Sequence, residues 1–107
     1  MSGENTTDIT FADFSKAIEG DRAVVQFVSS WDPASKIFAP IFQRFQKTYP
    51  TIKFIRINVD KSPKIAQVLK IKAVPTFVAY KRGEVLKKFS GALEGDLLKV
   101  CEDLSAF

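Results

Sequence analysis

Two nearly unbroken apolar runs constrain this chain most. One is Ala23-Val24-Val25-Gln26-Phe27-Val28; the other is the stretch 52–59, where Ile52, Phe54, Ile55, Ile57 and Val59 surround Arg56 and Asn58. Strands apolar on both faces belong in a sheet covered on both sides, the usual setting of parallel pairing. Parallel neighbours need a crossover, normally a helix. The segment between the runs supplies one, because Phe38, Ile41, Phe42 and Phe45 repeat at i, i+3, i+4 and i+7 along one helical face. Pro40 lies within that stripe and is expected to kink the helix, since it removes an internal hydrogen bond.

The remaining elements follow from their punctuation. Asp8-Ile9 reads as a short first strand, and Thr10 with Asp13 as the cap of a helix carrying Phe11, Phe14, Ala17 and Ile18. Ser62-Pro63 opens another helix, with Ser as cap and Pro in its first turn. Two further strands, 76–80 and 85–89, flank Lys81-Arg82-Gly83-Glu84 as a hairpin. Leu97, Leu98, Cys101 and Leu104 give a terminal helix its apolar stripe. The order is β-α-β-α-β-α-β-β-α, with neither repeat nor linker, so residues 1–107 are expected to form one domain.

Composition removes several function classes. With 107 residues, 46% of them hydrophobic and 10 of them Phe, the chain can fill one core without staples. No apolar run approaches the roughly 18 residues of a membrane span, and no membrane partner is expected. The single Cys cannot close an internal disulfide, which suits a reducing cytoplasm, or a nucleus as the alternative. Without His, imidazole catalysis and His-based metal sites are excluded, and neither metal nor cofactor is expected. The net charge of +4 is a mild excess, carried largely by lysines in turns and strand edges. No basic helix or recognised motif accompanies it, so nucleic acid is not expected as a partner.

The order and punctuation resemble the thioredoxin family over essentially the whole chain. The matching marks are Trp31, Lys36, Ala39-Pro40, Asn58-Val59-Asp60, Val74-Pro75-Thr76-Phe77, Gly83 and Gly91-Ala92. The resemblance implies an α/β thioredoxin fold, with a central mixed sheet of four to five strands flanked by four helices, and a cis peptide at Pro75 facing the start of the second helix. It also exposes departures. The family motif Trp-Cys-Gly-Pro-Cys-Lys stands here as Trp31-Asp32-Pro33-Ala34-Ser35-Lys36. A buried Asp that assists proton transfer in the family is matched by Gln26, and its Lys neighbour by Arg56.

The altered motif has a bland reading beside each chemical one. Asp32 before Pro33 suits an N-cap followed by Pro at the first helical position; as a catalytic carboxylate it has no visible partner. Ser35 reads as a hydroxyl in the first turn, without a His to activate it. Trp31 is either a core residue or a partly exposed aromatic wall, the kind of side chain that anchors a peptide. Arg56 either carries its head to solvent or pairs with Asp32 or Asp60. Cys101 reads as a small buried hydrophobe; if exposed, it could join two chains.

Thiol–disulfide exchange needs an attacking thiolate and a resolving thiol. With both positions replaced, the chain is expected to be no enzyme but a redox-inactive binding module: an adaptor, a co-chaperone or a recognition domain, including the front domain of a multidomain monothiol glutaredoxin. Its partner would be a protein or extended peptide, taken up by a groove of Trp31, Val74, Pro75, Gly91 and Ala92, and the isolated domain would be a monomer. The alternatives are a spliceosomal thioredoxin-like protein, which shares Trp-Asp-Pro at this site, and a disulfide oxidoreductase with an engineered or atypical active site.

Overall fold

The computed structural model describes residues 6–7, 11–91 and 94–106. The expected strand at Asp8-Ile9, the cap at Thr10 and the groove residue Ala92 lie outside the described residues. In chain order the elements are β1 (Thr6–Thr7), α1 (Phe11–Ala17), β2 (Arg22–Val28), α2 (Pro33–Thr48), β3 (Lys53–Asn58), α3 (Pro63–Val68), β4 (Thr76–Lys81), β5 (Glu84–Ser90) and α4 (Glu94–Ser105). This is the thioredoxin fold anticipated from the residues.

The five strands form one sheet in the order β1-β3-β2-β4-β5. β3 runs parallel to both β1 and β2, while β4 is antiparallel to β2 and β5 to β4. The two apolar runs therefore become central neighbours, as continuous burial along β2 requires. Period-2 alternation divides the core between the faces. Val24 joins Phe38, Phe42, Phe45, Phe77, Leu97, Val100, Cys101 and Leu104 on one face. Ala23, Val25 and Phe27 join Phe14, Ile57, Ile65, Val78 and Tyr80 on the other. Phe77 anchors the first cluster, edge-on to Phe38 at 5.2 Å and stacked on Phe89 at 5.0 Å between ring centroids. Both are favoured aromatic geometries.

Three local expectations are refined. α2 runs through Pro40 without ending, so packing of its Phe face outweighs the lost hydrogen bond. In the hairpin, Lys81 pairs with Glu84, leaving a two-residue turn in which Arg82 and Gly83 have φ of 53° and 83°. That doubly left-handed turn matches the twist of the flanking strands and suits Gly at its second position. Ser62 occupies the N-cap position of α3, but its side chain makes no capping bond there.

Candidate functional site

The site forms where β2 and β3 end and α2 begins. Asp32 is the N-cap of α2, in extended conformation, and Pro33 follows at the first position. Its Oδ2 accepts from the backbone N–H of Ser35 and from the Ser35 hydroxyl, both at 2.9 Å. Ser35 is almost wholly buried. The capping role expected of Asp32 is therefore realised, and the same carboxylate oxygen also takes up the buried hydroxyl.

Trp31, one residue earlier, is 70% exposed. That excludes the core reading of this side chain. With Val59, Ile71, Lys72, Ala73 and Val74 it lines a cleft of about 200 Å³. The Val74-Pro75 peptide is cis. β4 starts only at Thr76, so Ala73, Val74 and Pro75 lie outside the sheet ladder. The Thr76 hydroxyl donates to Ala73 O at 2.6 Å and lies 3.1 Å from the Ser90 hydroxyl. The Gly91 N–H donates to Pro75 O at 2.9 Å, with Gly91 at φ 101°. The fold thus brings Trp31 and Val74 into one cleft. Pro75 is buried and joined to Gly91 through the backbone; neither of these two lines that cleft.

Behind the motif lies a polar layer. The β2–β3 register sets Gln26 opposite Arg56, and Arg56 Nε donates to Gln26 Oε1 at 3.0 Å. Arg56 is only 8% exposed. The expectation that its head reaches solvent is corrected, because a hydrogen-bond acceptor on the neighbouring strand compensates its burial. The Ser29 hydroxyl donates to Asp60 Oδ2 at 2.7 Å, and Asn58 Nδ2 donates to the Ser30 hydroxyl at 2.7 Å. Asn58 Oδ1 accepts from the N–H groups of Asp60 and Lys61, closing the turn after β3. The Ser29–Asp60 and Asn58–Ser30 contacts escaped the sequence reading, since only the β2–β3 register brings the end of β3 beside the residues that precede the motif.

Cys101 is wholly buried on α4, as expected of a small hydrophobe. Burial pushes its thiol up to about 12, with Glu102 adding to the rise. At neutral pH it stays protonated in the fold, which removes it as an attacking thiolate. Among the described residues no helix is long and apolar enough to cross a membrane, and no cluster of metal-ligating side chains occurs.

The family model described as Thioredoxin matches residues 5–103, and the chain belongs to the thioredoxin family. It is 35% identical to thioredoxin H4 of Arabidopsis thaliana over 97 residues, covering 89% of this chain and 82% of the relative. Thioredoxin H5 of the same plant is 34% identical over 74 residues, covering 69% of this chain and 63% of the relative, so that match spans less than two thirds of the relative's length. The oxidized form of mitochondrial thioredoxin 3 from Saccharomyces cerevisiae superposes with a TM-score of 0.88 at 31% identity, covering 96% of this chain and 99% of that one.

These relatives correct one expectation. Loss of both motif thiols suggested that the chain is no enzyme, yet its relatives are thioredoxins, an oxidoreductase family. With its single cysteine, the chain has an atypical active site, which does not make it a non-enzyme. The matches give no support to a redox-inactive adaptor role.

Proposed function

We propose that this thioredoxin-family chain holds an extended segment of a partner protein against Trp31 and Val74, beside an atypical active site built on Asp32 and Ser35. The observation that carries the reading is the exposure of Trp31 in a cleft it shares with Val74. A large aromatic left in water beside unladdered backbone offers one apolar anchor and one hydrogen-bonding strand, the two elements of strand-addition recognition. Lys36 and Lys72, both exposed, would favour acidic residues flanking the anchor. The proposed groove continues past this cleft to Pro75 and Gly91, which the Gly91 N–H to Pro75 O bond holds together. A cytoplasmic location belongs to the same proposal and rests on the lone, buried Cys101.

The test starts from peptides selected from a random library on the immobilised chain. Trp31→Ala should weaken a selected peptide by about 2 kcal/mol, near 30-fold, if Trp31 is a central anchor. Val68, 58% exposed on α3, provides the control, and Val68→Ala should leave the affinity unchanged. Equal affinities for the parent and a folded Trp31→Ala variant would move the interface elsewhere, the basic hairpin at Lys81 and Arg82 being the next candidate.

A further inference from the structure

One wall of the Trp31 cleft is the connection between α3 and β4, through Ile71, Lys72, Ala73 and Val74. Its course is set where α3 ends. There the Ile71 N–H donates to Ala66 O at 2.9 Å and the Lys70 N–H to Gln67 O at 3.1 Å, the two bonds of a left-handed C-cap. The residue that must turn left-handed is Lys70, at φ 57°. Glycine is the usual occupant, because it has no Cβ to crowd the following carbonyl. A side chain in this conformation persists where its surroundings hold it.

The last turn of α3 contains no basic residue to bind its terminal carbonyls. The cation comes instead from β5, the edge strand of the sheet. Register sets Lys88 opposite Val78, and Val78 packs with Ile65 of α3 on one face of the sheet. Lys88 therefore projects towards α3. Its Nζ donates to Leu69 O at 3.1 Å and to Lys70 O at 3.3 Å, the carbonyls just before and just after the left-handed turn. An ammonium makes stronger bonds to them than a neutral donor would. One residue further on, Ile71 packs against the same core cluster and enters the cleft wall, whereas Lys88 itself does not line the cleft.

We infer that Lys88 is a positioning residue: from the edge strand it clips the end of α3 and so sets the wall that Ile71 and Val74 present beside Trp31. The consequence for binding rests on the peptide cleft proposed above, while the clip itself can be measured in the free chain. A segment docking on Trp31 meets a wall ordered in advance, so its affinity depends on a side chain it does not touch.

Hydrogen exchange of the free, full-length chain is the test, with the Lys70 and Ile71 amides as reporters of the cap. Lys88→Met keeps the length of the side chain and loses its donors. It should speed exchange of both amides about tenfold under native conditions, without a comparable shift in the urea midpoint, because only the end of α3 opens. Lys88→Arg, which restores a cationic donor, should return both amides to near the parent rates. Lys87→Met removes the same charge from the neighbouring position, opposite Ala79 of the other core cluster, and should leave the rates unchanged. For a library-selected peptide whose affinity depends on Trp31, Lys88→Met should weaken binding about threefold and Lys88→Arg should restore it. Unchanged exchange in Lys88→Met, or an equal acceleration in Lys87→Met, would overturn the inference. So would a Trp31-dependent peptide that binds the parent and Lys88→Met equally. Peptides indifferent to Trp31→Ala, found together with the exchange response at Lys70 and Ile71, would overturn the peptide cleft and uphold the clip.

Discussion

The Ser35 hydroxyl and the Ser35 backbone N–H both donate to one oxygen of Asp32, each at 2.9 Å. At the two positions where the family carries thiols, this chain therefore has a cap and its own buried hydroxyl, joined to each other. Asp32→Ala removes the cap and strands the Ser35 hydroxyl without its acceptor, and should cost about 2 kcal/mol. Asp32→Asn keeps an oxygen acceptor and caps nearly as well, so it should cost under half as much. Urea midpoints at constant m-value decide between them. Equal losses would show that the charge, rather than the cap, matters.

A second expectation concerns the framework around the motif. The 0.88 superposition on a thioredoxin covers nearly the whole chain, so the scaffold that presents the two positions is in place. Asp32→Cys combined with Ser35→Cys should reduce insulin disulfides, with dithiothreitol as electron donor, faster than the parent chain. Equal rates would mean that the surroundings, Gln26 and Arg56 among them, do not support dithiol exchange.

Much of this architecture is legible from the residues because it is local. The Phe stripe of α2, the apolar runs of β2 and β3 and the Asp32-Pro33 start need only spacing and capping rules, and each is found where expected. What spacing cannot supply is register. Arg56 reads as a charge bound for solvent, or for Asp32 or Asp60, until β2 is aligned with β3 and Gln26 comes opposite. The cavity lined by Val28, Ser35 and Arg56 is invisible for the same reason, its walls coming from two strand ends and a helix start. Trp31 shows the limit most plainly, since composition allows a core tryptophan and only tertiary placement reveals an exposed one.

Alkaline pH should expose the cost of burying Cys101 and Tyr80. Burial raises the thiol from 9.0 to about 12 and the phenol from 10.0 to about 12. The unfolded chain releases these protons first, so stability is complete below about pH 9 and falls as pH rises towards 12. Cys101→Ala should flatten the part of this decline that begins near 9, though the lost packing lowers the plateau. Native Cys101 should also resist aromatic disulfide reagents at neutral pH and react at once in denaturant. Rapid labelling of the native chain would contradict its burial.

Phe77 is fully buried between α2 and β5 against Phe38, Phe42 and Phe89. Phe77→Ala should cost about 3–5 kcal/mol, the range for deleting a buried aromatic ring. Phe77→Leu should lose much less, because it keeps most of the volume. Calorimetric or denaturant unfolding measures both, and a loss from Phe77→Ala no larger than that from Phe77→Leu would contradict the central place given to this ring.

The most direct test of the groove uses the chain's own probe, for Trp31 is its single tryptophan. At 70% exposure its free-state emission should be that of a solvated indole, open to quenching by acrylamide. Titration with a selected extended peptide should shift the emission to shorter wavelength and protect it from the quencher, with the affinity that calorimetry gives for the same peptide. Emission and quenching that stay unchanged while calorimetry shows the peptide saturating the chain would contradict docking at Trp31.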